Sequence, residues 1–348
     1  MNFNKFFNLK SKYILAIILL LSILSSVFFV FVFDNPIYGD AKEYEIIARS
    51  ITNGHYSLDA YEPYSPTMHR EPLYPFLLSI IFKIVGYQTL PQAEPFYYNV
   101  VYIVQILLFS ITCLFTFLIS KEIFNKKVAT LSGILISIFP TLANYPSFLL
   151  SETLFSFLLI FSIFLLTKSF KLKKTLIFFC SGIFLGLVSL TKSMGVLFIL
   201  FVIISMIIKY KKLRKKFFLN LFVLIIGFTT IIFPWSLRNY KTFDTFQISM
   251  RGGHALWMAA DQLDYSKEQI IQSIVFNFSE TIGNKLFPNV FEKIIKENNK
   301  LKIIYTSETS SKFILLRNIT YGLREEQLKE LGFLTPESIE KQMRFVAT

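Results

Sequence analysis

From Tyr13 to Phe33 the chain runs with almost no strongly polar side chain, and comparable segments return at Tyr97–Ser120, Val128–Ala143, Leu149–Thr167, Thr175–Ile208 and Phe217–Pro234. A helix of about 20 apolar residues matches the hydrocarbon thickness of a bilayer, and the first run has that length. One soluble core does not absorb so many segments of this kind. With 53% hydrophobic residues and 40 phenylalanines in 348 positions, the chain reads as an all-α polytopic membrane protein.

The spacing of charge sets the expected topology. A formal net charge of +13 might suggest a nucleic-acid partner. The lysines, however, fall in short blocks between apolar runs, at KEIFNKK, KSFKLKK and KYKKLRKK, and no nucleic-acid motif accompanies them. Lys5, Lys10 and Lys12 precede the first run, which lacks a small-residue cleavage site after it and reads as an uncleaved signal anchor. Thr175–Ile208 as one helix would be roughly 50 Å long, well beyond the core thickness of about 30 Å. It must fold back, with Lys192 at the turn. About seven spans result, with the N-terminus and all three lysine blocks on the cytoplasmic side of the cell membrane. The loop at 34–96, the turn before Glu152, the turn at Lys192 and everything after Trp235 then face the extracytoplasmic side. The expected organisation is a transmembrane catalytic module over 1–235 and an extracytoplasmic region over 236–348. In that region REEQLKELG and a Thr335-Pro336 start read as helical, and the stop soon afterwards on Phe345-Val346-Ala347 reads as a chain cut short.

The stretch Asp34–Pro75 differs from its surroundings. It carries Asp34, Asp40, Glu43, Glu45, Asp59, Glu62 and Glu71 against Lys42, Arg49 and Arg70, and a polar loop of such length is usually functional. Its far end, Leu73–Gly86, is short for a span and is expected to lie on or dip into the interface. Asp40 opens an amphipathic pattern, where a carboxylate can serve as a general base or merely suit a helix N-terminus. Glu43 lies one turn later on the same face; it can assist, although the pattern favours a solvated charge. Glu152 stands at the lip of an apolar run, where an ionisable group is costly and points to function. Arg70, Lys192 and Arg238 lie away from the lysine blocks and suit either phosphate binding or membrane anchoring. His55 and His69 lack a metal-binding spacing, and Cys113 and Cys180 sit inside apolar runs without a framework. Gly252-Gly253 reads as a turn, and the acceptor patterns at Asn277 and Asn318 matter only for a glycosylated protein.

The order GDAKEYEIIARSITNG, HREPLYPFLLSIIFKIVG, SETLFSFLL, GLVSLTKSMGVLF and PWSLRNY with RGGHALW resembles membrane glycosyltransferases of the GT-C superfamily. The nearest kind is the bacterial branch similar to protein O-mannosyltransferases and the aminoarabinose transferase of lipid A, of the family 39 type. The resemblance implies a polyprenyl-phosphate sugar as donor and an acid in the first extracytoplasmic loop that activates the acceptor. Asp40 matches that acid, with Tyr44 after it. Ala41 follows Asp40 where the family carries a second acid, leaving Glu43 or Glu152 as the second carboxylate. Arg70 with Pro72 resembles the loop motif near the lipid phosphate, Lys192 stands where a cation is usual, and Arg238 matches the PW..RN element.

The expected activity is therefore inverting transfer of a sugar from a polyprenyl phosphate to a lipid, glycan or protein acceptor. Asp40, Glu152 and Glu43 are the expected catalytic acids, and Tyr44, Arg70, Lys192 and Arg238 the substrate-binding set. No cofactor is required by this scheme, and a divalent metal is compatible with it. The alternatives are a non-catalytic flippase for the same lipid, or an inactive piece of a longer transferase.

Overall fold

The computed structural model describes residues 10–32, 37, 39–86, 94–210 and 215–250, with backbone only at 94–96. The chain divides into two compact units, Met1–Gly252 and Gly253–Thr348, and the fold below is that of the first. The expected helices at REEQLKELG and after Thr335 lie outside the described residues.

Ten α-helices make up the described fold: α1 Ser11–Val32, α2 Asp40–Thr52, α3 Leu73–Val85, α4 Glu94–Ile123, α5 Lys126–Ile138, α6 Pro140–Asn144, α7 Glu152–Leu172, α8 Thr175–Thr191, α9 Phe198–Tyr210 and α10 Lys215–Phe243. Short 3-10 turns at Tyr145–Ser147 and Ser193–Leu197 follow α6 and α8. Helix is the form in which an apolar segment satisfies its own backbone, which is why lipid-facing runs adopt it. The outward faces confirm that setting: Leu20, Leu24, Phe28 and Phe31 of α1 are exposed, while Ile14, Ile18, Ser22 and Ser26 form the buried stripe.

Among the described residues, five helices are long and apolar enough to cross a membrane, or six if the bent pair α5–α6 is one span. Of the about seven spans expected, length and composition support five or six among the described residues. The segment expected as a span at Val128–Ala143 bends by 53° between its two helices, where Pro140 cannot donate to the preceding turn. The α8 segment is a 17-residue helix, short for a span.

The expected fold-back of Thr175–Ile208 is present. Lys192 is extended, and Gly195 packs so tightly on the reversal that a Cβ there would lie 2.9 Å from backbone atoms of Ser189 and Val188. Phe178 near the start of α8 and Tyr210 at the end of α9 both meet the Phe170 ring, at 5.5 and 6.1 Å, so the two arms return to one level. Helices α8 and α10 approach through glycine. A Cβ on Gly182 would fall 2.1 Å from Leu224 O, and one on Gly227 2.4 Å from Phe179 O, so contact at backbone distance replaces the hydrophobic drive that lipid removes.

The ends of the helices segregate by chemistry. At one end Lys121 donates to Ser11, Lys168 and Lys171 pair with Glu122 at 2.5 and 2.7 Å, and Tyr210 stacks edge-on with Phe217. The other end gathers Asp40, Arg70, Glu152 and Lys192.

Candidate functional site

Helix α2 begins at Asp40 because Gly39, with φ 54°, turns the chain into it through a conformation that favours glycine. One turn on, Glu43 and Tyr44 are buried, and Tyr44 packs edge-on against Tyr74 of α3, whose C-terminus is closed by Gly86 in the left-handed region. Between these helices, residues 53–72 form a folded excursion. Ser57 and Pro66 make an isolated antiparallel bridge, and Asp59 accepts from Ser57 Oγ and Ser65 N.

Arg70 is fully buried at the foot of that excursion. Its Nη2 lies 2.5 Å from Asp40 Oδ1 and its Nε 2.5 Å from Glu43 Oε2, while its guanidinium carbon sits 5.1 Å from the centre of the Tyr44 ring. Burial alone would lower the Arg70 pKa, but Glu43 and then Asp40 more than reverse this, so Arg70 remains a cation. Glu43 also faces His69 Nε2 at 3.2 Å. The expectation that Glu43 is a solvated charge is corrected here: its side chain is 7% exposed, against 38% for Asp40. The physical reason is Arg70, which compensates a carboxylate that could not otherwise leave water. Asp40 is the reachable member of the pair.

Glu152 opens α7, and Lys192 Nζ donates to its Oε1 at 2.7 Å. The turn before Glu152 is set by Gln105 of α4, which donates to Pro146 O and Phe148 O at 3.1 and 2.7 Å and accepts from Tyr74 Oη at 3.1 Å. Burial first, and then Tyr44, raise the pKa of Tyr74, which stays a neutral donor.

Two contacts join these ion pairs. Tyr44 Oη lies 3.2 Å from Ser151 Oγ, next to Glu152. Glu71, next to Arg70, accepts on Oε1 from Ser193 N at 3.0 Å and Ser193 Oγ at 2.7 Å, next to Lys192, and from Ser249 Oγ at 2.9 Å. The circuit thus runs from α2 through the start of α7, the Lys192 turn and the Arg70 loop back to α2. Four carboxylates here meet two cations, each already in an ion pair. Among the described residues, Arg70 Nη1 and Glu152 Oε2 are shielded from solvent and have no hydrogen-bond partner. They are the groups a substrate could satisfy.

Arg238 stands beside the loop excursion, on α10. Trp235, Arg238 and Asn239 lie inside α10, which continues past Pro234 to Phe243. Arg238 donates to Thr67 O at 2.7 Å and stands over the rings of Tyr56 and Trp235 at 5.4 and 4.9 Å. It pins the excursion onto α10. Tyr56 in turn donates to Arg70 O at 2.9 Å, and burial raises its pKa. His55 stacks on Tyr64 at 4.7 Å, away from the circuit.

Sequence reasoning counted Glu71 only among the acids of the loop and missed Gln105, Ser193 and Ser249. The signal available was adjacency, since Glu71 follows Arg70 and Ser193 follows Lys192. Among the described residues there is no group of three or more His, Cys, Asp or Glu side chains placed to hold a metal ion. An apolar crevice of about 200 Å³, bordered by Phe109, Ile136, Tyr145 and Leu159, lies between α4, α5, α6 and α7.

Apolar helices of spanning length with a buried acid–cation circuit at one end define a polytopic all-α membrane protein with a polar site. Residues 69–236 match the family model described as dolichyl-phosphate-mannose-protein mannosyltransferase. That match supports membership of the GT-C superfamily of membrane glycosyltransferases. The matched stretch includes Arg70, Glu71, Glu152 and Lys192, and lies between Asp40 and Arg238. A comparison with curated protein sequences returned no significant match.

Proposed function

We propose that this protein transfers a sugar from a polyprenyl-phosphate donor to an acceptor on the extracytoplasmic face of the cell membrane, with inversion at the anomeric carbon. The observation that carries the reading is the circuit itself, in which the acids of the first loop, Glu152 and Lys192 converge at the end of the helices opposite to the lysine contacts.

Asp40 is the acceptor-side base. It is the more exposed of the two carboxylates on Arg70, so a hydroxyl nucleophile can reach it and hand over its proton. Glu43 holds Arg70 in place from the buried side. As the bond from the anomeric carbon to the phosphate oxygen breaks, charge builds on the departing lipid phosphate. Arg70 Nη1 and Lys192 are the cationic donors for it. A phosphate leaving group needs little protonation, so a base and a cation clamp form a sufficient set. Glu152 orients Lys192, and its unpartnered oxygen suits a sugar hydroxyl.

The test is transfer from a polyprenyl-phosphate sugar in proteoliposomes by the full chain and by Asp40→Asn. A drop of at least about 10²-fold is expected for loss of a general base. Transfer undiminished in Asp40→Asn removes Asp40 from that role.

A further inference from the structure

We infer that Glu71 is a positioning residue which sets the distance between the two cations that receive the lipid phosphate. This rests on the reading given under Proposed function and adds to it a residue with no role there. Glu71 is 5% exposed, and one of its oxygens is approached by three donors from two segments remote in sequence. The backbone N–H and hydroxyl of Ser193 fix the turn that carries Lys192. The hydroxyl of Ser249 fixes the chain after α10, and Met250 N donates to Met68 O at 3.0 Å beside it. Ser193 Oγ and Ser249 Oγ are themselves 2.8 Å apart. Two hydroxyl protons thus serve three close contacts, and an acceptor at Glu71 lets both hydroxyls donate to the same oxygen at once.

The consequence is geometric. Arg70 and Lys192 belong to different segments, and each is held by its own carboxylate partner. Their immediate neighbours, Glu71 and Ser193, are bonded to each other through both main chain and side chain. A carboxylate buried at a cost, with its oxygen used to tie the two cation-bearing segments together, fixes a separation of Arg70 and Lys192 that neither ion pair defines by itself.

The experiment is equilibrium binding of a long-chain polyprenyl phosphate to the purified full chain in detergent, alongside thermal unfolding. The variants are Glu71→Ala, Glu71→Gln, Lys192→Ala and the double variant Glu71→Ala/Lys192→Ala. Glu71→Ala is expected to weaken binding by about tenfold, and Glu71→Gln, whose amide oxygen still accepts from Ser193, by less than about threefold. In the Lys192→Ala background, Glu71→Ala should add less than about twofold, because residues that act through one another are not additive. If Glu71→Ala does not fold, Ser193→Ala carries the test, with a loss of about threefold expected. Binding equal to wild type in Glu71→Ala, or in Ser193→Ala where that variant stands in, overturns the inference and leaves the transferase reading intact. So does a full loss that simply adds to that of Lys192→Ala. A wild-type chain that binds no polyprenyl phosphate overturns both.

Discussion

Lys192 and Glu152 meet at 2.7 Å across 40 positions of sequence, one from the break between α8 and α9 and the other from the first turn of α7. Each side chain keeps about a quarter of its surface exposed, 29% and 26%, so the pair is reachable from outside the helices. A cation so placed is held but not sealed, which is what a transient anion requires.

Removing that cation should therefore act on the reaction more than on the fold. For Lys192→Ala we expect a fall in transfer of about 10²-fold, the usual effect of deleting one donor to a developing anion. Lys192→Arg should recover part of it. A thermal midpoint close to wild type would accompany the loss, and initial rates in proteoliposomes with parallel unfolding curves check both.

Arg70 should behave in the opposite way. It is buried, it serves Asp40 through Nη2 and Glu43 through Nε and Nη2, and an ammonium cannot reproduce that fork. Arg70→Ala leaves Glu43 buried without its compensating charge, at a cost of about 3–5 kcal/mol. Arg70→Lys should fall between this and wild type. Because its pKa is raised in the fold, the stabilisation from a charged Arg70 is fully present through the physiological range and fades only in strong alkali. Detergent-solubilised unfolding is the measurement.

The close approach of α8 to α10 makes a third prediction. Gly182→Ala places a methyl group about a bond length too near Leu224 O, and backbone on that side cannot swing away as a side chain would. Overpacking of this kind costs about 1–3 kcal/mol. The same substitution at Gly54, which has nothing within 4 Å of its Cβ position, meets no packing clash and is strained only by its positive φ. Thermal unfolding of Gly182→Ala should show a clear drop.

Arg238 predicts a local effect. It holds Thr67 O from α10, and Tyr56 beside it holds Arg70 O. Arg238→Ala should free the excursion at residues 53–68, seen as faster proteolysis there. Transfer should fall by about tenfold through misplacement of Arg70.

Much of the fold was legible because lipid imposes simple lengths. The apolar runs gave the helices, and the excess length of Thr175–Ile208 gave the reversal at Lys192. What periodicity could not give was the bend at Phe139–Pro140 or the continuation of α10 through Pro234, since a proline in lipid either breaks a helix or is absorbed by it according to its neighbours. The site was legible in its members but not in its pairings. Asp40, Arg70, Glu152 and Lys192 stood out as charges in unusual places, whereas Glu43 read as solvated because nothing in sequence shows that Arg70, 27 positions on, folds back over it. Glu71 was hidden for the same reason, since its donors lie 122 and 178 positions away.

The whole account depends on the acid–cation circuit opening outside the cytoplasm. In a chain with Cys113 and Cys180 replaced by alanine, Tyr61→Cys marks the exposed tip of the excursion, at 84% accessibility, and Lys127→Cys marks the exposed lysine end. With a membrane-impermeant maleimide on intact cells, position 61 should label at once and position 127 only after permeabilisation. Labelling of position 61 that needs permeabilised cells, or labelling of both positions from outside, would contradict the assignment.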